Sequence, residues 1–351
     1  MEEHPMDGIV CRGINNIYTV RCGDVAYQCR IKGKQLTDIQ GEYNPLAVGD
    51  KVSFLPQDGS SGLITARQPR MNSFQRWNVK GECNQTVVAN MDLIICVCSA
   101  DTPPFRPRFI DRVIVCARGV DVMLVMNKCD ILLTEDEYER FHLFDELGYR
   151  TMAVSAKTGE NTDALAQALQ GLTVAFVGQS GVGKSTLINR LLGDQANQRT
   201  GEVSQKFNRG CHTTNHSLLL DGPGFTVVDT PGVREILVPH GDPHLVAESF
   251  PEFRAVASQC EYAGCLHDQE PGCKVKELVE EGDIHYDRYE SYLRMLASLE
   301  DRVPQWMTEN YKASGRAVTT SKSGKFHRKN KLMDSRDGVG KTVEDHVEED
   351  S

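Results

Sequence analysis

The chain has 351 residues, more than one hydrophobic core ordinarily organises, so two or three domains are expected. Its 40% hydrophobic and 25% charged residues are those of a soluble globular protein, and no apolar run is long enough to span a membrane. The net charge of −10 argues against a general nucleic-acid binder, yet residues 312–331 hold seven Lys or Arg and no acid, whereas 334–351 hold seven acids and two bases.

The start, Met1-Glu2-Glu3-His4-Pro5, lacks the basic and apolar regions of a signal peptide, so the expected location is cytoplasmic. There the twelve cysteines read as free thiols or metal ligands rather than disulfides; Cys96 and Cys98, in an apolar run, read as inert small hydrophobes. Residues 8–70 alternate short β-like runs (17–20, 25–29 and 51–55) with turn signals at Gly23-Asp24, Gly33, Gly49-Asp50 and Asp58-Gly59. This spacing predicts a small closed barrel, either an OB-fold or an SH3-like one.

From about residue 86 the texture becomes strand, helix, strand. Apolar runs at 93–98, 122–126, 151–154, 173–177, 217–220 and 225–228 read as strands buried in a parallel sheet, hence a doubly wound α/β domain. Thr134 and Glu137 form a capping-box pattern at the start of a helix that Gly148 would stop.

Motifs sit at the ends of these strands. Asn127-Lys128-Cys129-Asp130 follows the 122–126 run. The Asp130 carboxylate can accept from guanine N1–H and the 2-amino group while the Lys128 stem packs on the ring; adenine would leave such a site unpaired. The plainer alternative is a helix cap. Ser155-Ala156-Lys157, after 151–154, fits a companion loop whose backbone meets guanine O6. Gly178-Gln179-Ser180-Gly181-Val182-Gly183-Lys184-Ser185-Thr186 matches the phosphate-loop pattern between a strand and a helix. There backbone N–H groups and the helix N-terminus would cradle phosphates, Lys184 would reach the β and γ phosphates, and Ser185 would bind Mg²⁺.

Asp229-Thr230-Pro231-Gly232 ends the 225–228 strand, where Asp229 can hold the Mg²⁺ shell and the Gly232 N–H can meet a γ-phosphate. Between these motifs, Thr213 or Thr214 would complete the Mg²⁺ shell, and Thr214 is favoured by its distance from the next strand. Val233 stands where many GTPases place a water-orienting glutamine, so another group is needed; His212 is a candidate by sequence proximity, against the bland reading of a lone loop histidine.

Beyond residue 240 the runs 243–253 and 287–301 read as helices flanking Cys260, Cys265, His267 and Cys273. Three thiolates and one imidazole suit a tetrahedral, structural Zn²⁺ with no open position, in preference to a disulfide or unliganded thiols. The last forty residues are polar and read as disordered.

The order is unusual: N-K-C-D precedes the phosphate loop, as if a GTPase had its ends joined and a cut made after the D-x-x-G strand. N-K-C-D, S-A-K, G-Q-S-G-V-G-K-S-T, H-T-T, D-T-P-G and the Cys/His set together resemble the circularly permuted GTPases of small ribosomal subunit biogenesis, the RsgA/YjeQ family. Further similar stretches begin at Gln85, Phe109 and Tyr289, and the likeness covers roughly residues 8–305. It implies an N-terminal OB-fold over 1–71, a permuted GTPase over 72–240, a mainly helical zinc domain over 241–310 and a tail over 311–351. It also implies binding to the 30S subunit and 16S rRNA late in maturation, with GTP hydrolysis stimulated by the subunit. A monomer with no membrane contact is expected. Departures are Cys211, where arginine is common, and the long acidic tail.

Two alternatives stand beside this reading: an rRNA-binding clamp with incidental hydrolysis, and a large-subunit relative, against which the barrel and the cysteine cluster argue. Because D-T-P-G-V leads straight into the C-terminal domain, residues 230–240 are expected to couple nucleotide state to the zinc element.

Overall fold

The computed structural model describes residues 4–33, 36, 42–57, 59–100, 102–193, 216–233 and 235–300, the side chain of Glu300 excepted. Five strands open the chain: β1 (Met6–Ile14), β2 (Ile17–Cys22), β3 (Val25–Ile31), β4 (Lys51–Gln57) and β5 (Ser61–Arg67). They close into a barrel of order β1-β2-β3-β5-β4, with β3 and β5 parallel and β1 paired back on β4. That closure is the OB topology and decides between the two barrels the sequence left open. Val10, Val20, Val52, Phe54 and Ile64, inward by the two-residue strand period, fill it.

A second, three-stranded antiparallel sheet follows, which the sequence reading missed: β6 (Ser73–Asn78), β7 (Cys83–Ala89) and β9 (Ala117–Arg118), in order β7-β6-β9. It is tied to the barrel. Arg70 bonds both Asp50 oxygens, Glu42 and Thr86, and the Ala89 N–H donates to Val48 O at 2.9 Å. The backbones are so close at Gly49 (φ +89°) that a Cβ would lie 2.0 Å from Ala89 O. Only glycine fits.

The main sheet has six strands, in order β11 (Arg150–Val154), β10 (Asp121–Asn127), β8 (Leu93–Ser99), β12 (Thr173–Gly178), β14 (Thr226–Asp229) and β13 (Leu218–Asp221). Five are parallel; β13 runs antiparallel to β14, correcting the expectation of a wholly parallel sheet. All of β8 is buried, and its two faces feed two cores. Leu93, Ile95 and Val97 pack with Leu165 of α3 (Thr162–Ala168) and Leu187 of α4 (Lys184–Leu192). Ile94, Cys96 and Cys98 face α1 (Pro107–Cys116) and the C-terminal helices. Burial pushes the Cys98 thiol up to about 12 and raises Cys96, as befits inert side chains.

Helix α2 (Glu135–Glu146) carries the expected capping box between Thr134 and Glu137, and Gly148 follows it at φ +88°. The expected 243–253 helix is instead two short ones, α5 (His244–Ala247) and α6 (Pro251–Val256), because Pro251 lacks the N–H needed to continue α5 and starts a new helix at N1. After the cysteine cluster come α7 (Lys274–Glu281) and α8 (Tyr286–Glu300). Among the described residues no helix is long and apolar enough to cross a membrane.

Candidate functional site

The carboxyl ends of β12, β14, β10 and β11 bring four motifs to one edge of the sheet. The phosphate-loop stretch turns from β12 into α4, with Gly181 and Gly183 at φ +91° and +87°. At Gly183 a Cβ would stand 2.4 Å from Asn127 Nδ2, so no side chain is tolerated. The first turn of α4, which holds Ser185 and Thr186, has no acidic residue, so its positive end is not neutralised from within the helix.

Lys184, 5% exposed, places its ammonium on the carboxylate of Asp229, itself fully buried at the end of β14, and on the Thr230 carbonyl. Thr230 Oγ1 donates to Phe176 O at 2.6 Å. The strand pairing then resumes past the strand ends. The Ser180 N–H donates to Val233 O and the Val233 N–H to Gly178 O, each at 3.3 Å, so Gly232 lies alongside the phosphate loop.

At the end of β10, Asn127 is 2% exposed and both ends of its amide are hydrogen-bonded. Nδ2 donates to Val182 O at 2.8 Å and Oδ1 accepts from the Ala156 N–H at 2.9 Å. The residue thus ties the phosphate loop to S-A-K, using one of its two amide N–H groups and its amide oxygen. Lys128, at φ +67°, sends its ammonium to the Thr102 carbonyl. The Cys129 N–H donates to Val154 O at 3.0 Å, fixing the loop against β11.

Asp130 accepts from Ser155 Oγ at 2.7 Å and has Lys157 Nζ 3.7 Å away. The Ser155 hydroxyl, followed by other hydrogen bonds and the Lys157 charge, holds its carboxyl below the ordinary value, so it is an ionised acceptor at neutral pH. Of the S-A-K backbone donors, Ser155 gives its N–H to Glu160 O and Ala156 gives its own to Asn127. His212, Thr213 and Thr214 lie outside the described residues, as does the tail from 311.

Cys260, Cys265, His267 and Cys273 converge behind α6, with donor atoms all within 4.8 Å of one another. His267 Nδ1 is 3.6 Å from Cys260 Sγ and 3.4 Å from Cys273 Sγ. A tetrahedral zinc with ordinary bond lengths needs about 3.6 Å between such atoms, so the set fits that ion. Glu270 receives the N–H groups of Leu266 and Asp268, and Tyr289 donates to His267 O at 2.8 Å; these shape the ligand loop, in which His267 takes φ +57°.

Between this cluster and the main sheet lies a buried ion triad that the sequence reading left unassigned. Arg288 of α8, 2% exposed, bonds Asp111 of α1 through Nη1 and Glu252 of α6 through Nε and Nη2 at 2.8 and 3.1 Å. Its guanidinium lies over Phe250 at 4.4 Å. In the sequence Asp111 sits within the stretch Phe109-Ile110-Asp111-Arg112, and nothing local marks its partner 177 residues away.

Comparison with known proteins agrees with this geometry. The family described as RsgA GTPase matches residues 67–239, and the RsgA N-terminal domain family matches residues 7–64. The chain is 36% identical over 293 residues to the small ribosomal subunit biogenesis GTPase RsgA of Borreliella burgdorferi, covering 82% of this chain and 95% of that one. To the protein of the same name from Porphyromonas gingivalis it is 37% identical over 306 residues, covering 83% and 96%. Among solved structures, YjeQ from Thermotoga maritima superposes with a TM-score of 0.62 at 30% identity, covering 86% of this chain and all of that one. The circularly permuted GTPase YloQ, at 24% identity, TM-score 0.61, and 86% and 97% coverage, shares the fold.

Proposed function

We propose that this chain, which belongs to the RsgA family of GTPases and hydrolyses GTP, does so as a late assembly factor of the small ribosomal subunit, bound to 16S rRNA and stimulated by that subunit. The observation that carries the nucleotide half is the Asn127 tie. One amide joins the phosphate loop to the base loop, so motifs in permuted sequence order form one site. The ribosomal half rests on the names of its relatives. A cytoplasmic monomer is the matching expectation.

Each residue then has a task. Asp130, ionised and aimed by Ser155, accepts from guanine N1–H and the 2-amino group, and the Lys157 N–H, which carries no protein acceptor among the described residues, is left for O6. The Lys128 stem lies along the ring. Lys184 leaves Asp229 for the β and γ phosphates, where phosphate replaces carboxylate as its counter-charge. Asp229 and Ser185, with Thr214 or Thr213, are the groups that would hold Mg²⁺, which neutralises phosphate charge when bound. Gly232 meets the γ-phosphate. Val233, whose side chain offers no hydrogen bond, leaves water positioning to His212 or to the subunit. The cysteine cluster would hold one structural zinc, with every position filled by protein.

Val233 also favours the second reading, a nucleotide-gated rRNA clamp with incidental turnover. Single-turnover hydrolysis separates the two. The enzyme reading expects a rate on the order of 10⁻⁴ per second alone, rising by roughly 10³–10⁵ with 30S subunits. Failure of 30S to accelerate it supports the clamp. Co-sedimentation with separated 30S and 50S subunits in a non-hydrolysable GTP analogue tests the partner, and preference for 50S would overturn it.

A further inference from the structure

Residues 235–240, which continue the D-T-P-G-V segment, are pinned in place. Ile236 and Val238 are each 1% exposed, in the core beneath β6 and β7. Leu237 O accepts the Trp77 N–H at 2.9 Å. Asn84 of β7 clasps His240 from both sides: Nδ2 donates to His240 O and Oδ1 accepts the His240 N–H, each at 2.8 Å. The His240 ring stands 6.0 Å from that of Trp77.

The backbone of Asn84 meanwhile faces the barrel side. Its carbonyl accepts the Tyr43 N–H at 2.8 Å, and it bridges Glu42, which Arg70 links to Asp50 at the foot of β4. One residue therefore holds the barrel by its main chain and the nucleotide-facing segment by its side chain. An amide is suited to the task because it offers one donor and one acceptor to the paired N–H and C=O of a single residue.

From this arrangement we propose that Asn84 is a positioning residue that ties the γ-phosphate-facing segment to the barrel, so that nucleotide state is transmitted to the barrel through its grip on His240. The proposal rests on the reading of this chain as a GTP switch. The bridge between Gln179 and Val233 is the contact on which nucleotide state would act. A γ-phosphate at Gly232, which lies against Ser180, would sit beside the Ser180–Val233 hydrogen bond, and a shift of Val233 would be felt by residues 235–240 and by the sheet that carries the barrel. Thermodynamic reciprocity then requires whatever the barrel binds to shift GTP affinity in return.

The chain contains two tryptophans, Trp77 and Trp306, so Trp306→Phe leaves Trp77 as the sole reporter beside His240. In full-length protein of that background, nucleotide binding is measured by calorimetry. Trp77 emission and amide exchange over residues 42–50 are compared between a non-hydrolysable GTP analogue and GDP. The control is Asn90→Ala. Asn90 donates to Gly49 O at 3.0 Å and accepts the Met71 N–H at 2.9 Å, tying the same sheet to the barrel without touching residues 235–240.

The parent and Asn90→Ala are expected to show a GTP-against-GDP difference in both readouts, and Asn84→Ala to lose it while still binding GTP. Should Asn84→Ala fail to fold, Asn84→Asp, which keeps the acceptor and loses the donor, is expected to show the same loss. Retention of the difference in a folded Asn84 variant overturns the proposal, as does equal loss in Asn90→Ala. A parent that binds GTP but shows no difference overturns the coupling and leaves the GTPase reading standing; a parent that binds no GTP overturns both.

Discussion

Replacing Asn127 with alanine asks whether this residue reads the base or ties the loops. Its amide bonds Val182 O at 2.8 Å and the Ala156 N–H at 2.9 Å, and both partners are buried, Val182 at 1% exposure and Ala156 at 6%. Alanine leaves that carbonyl and that N–H without a partner and without easy access to water. Each orphaned buried group costs about 1–3 kcal/mol, so the pair amounts to about 2–6 kcal/mol. Part of this lowers global stability. The rest falls on the two loops that GTP must find ordered, and at about 1.4 kcal/mol per tenfold the expected loss of GTP affinity is about ten- to a hundredfold.

The assay is calorimetry with GTP, GDP and xanthosine triphosphate, beside urea unfolding. Because the two bonds tie the phosphate loop to the S-A-K loop, GTP and GDP affinity should fall together and the preference for guanine over xanthine should survive. Unchanged stability and affinity would refute the reasoning, and so would a variant that binds well but no longer prefers guanine.

Asp130→Asn should do the opposite, exchanging guanine preference for xanthine, whose 2-position carbonyl suits an amide donor; competition binding with the two triphosphates decides it. The purified chain should carry one zinc by elemental analysis, and Cys273→Ser should remove it and expose α7, seen as faster amide exchange over residues 260–281. Arg288→Ala leaves buried Asp111 without its counter-charge and should destabilise the fold by about 3–5 kcal/mol in urea unfolding. Burial already holds the Asp111 carboxyl above its ordinary value, with Arg288 pulling the other way. Removing Arg288 raises the folded value further. A raised group stabilises below its unfolded value and loses that contribution as pH climbs through the folded one. The variant's deficit should therefore be smallest near about pH 4 and grow toward neutrality; a deficit independent of pH would show that lost packing, not the orphaned carboxylate, dominates.

Legibility differed by element for physical reasons. The strands of the main sheet stood out because burial on both faces demands unbroken apolar runs, as in Leu93–Cys98 of β8. The β6–β7 pair did not: Ser73-Phe74-Gln75-Arg76-Trp77-Asn78 mixes polar and apolar residues in a sheet that meets the barrel on one side and residues 235–240 on the other. The direction of β13 was hidden for another reason. An edge strand of Leu218-Leu219-Leu220-Asp221 carries the same residues whichever way it runs, and only its register with β14 sets the sense. The 243–253 run has helical spacing throughout, and only the break at Pro251 divides it into two helices.

By itself the sequence showed the candidate motifs, because phosphate cradling, guanine recognition and tetrahedral metal binding each demand particular residue types at short, fixed spacings, as in Gly178 to Thr186, Asn127 to Asp130 and Cys260 to Cys273. It also determined that these motifs run in permuted order, since order is a property of the chain alone. Tertiary structure alone decided which barrel closes over residues 6–67, that the Asn127 amide bonds Val182 and Ala156, and that Asn84 clasps His240 at the end of residues 235–240. These are contacts between residues 29 to 156 positions apart. An amide that binds a base and an amide that binds a loop are the same atoms, and only the partner brought to it by folding tells them apart.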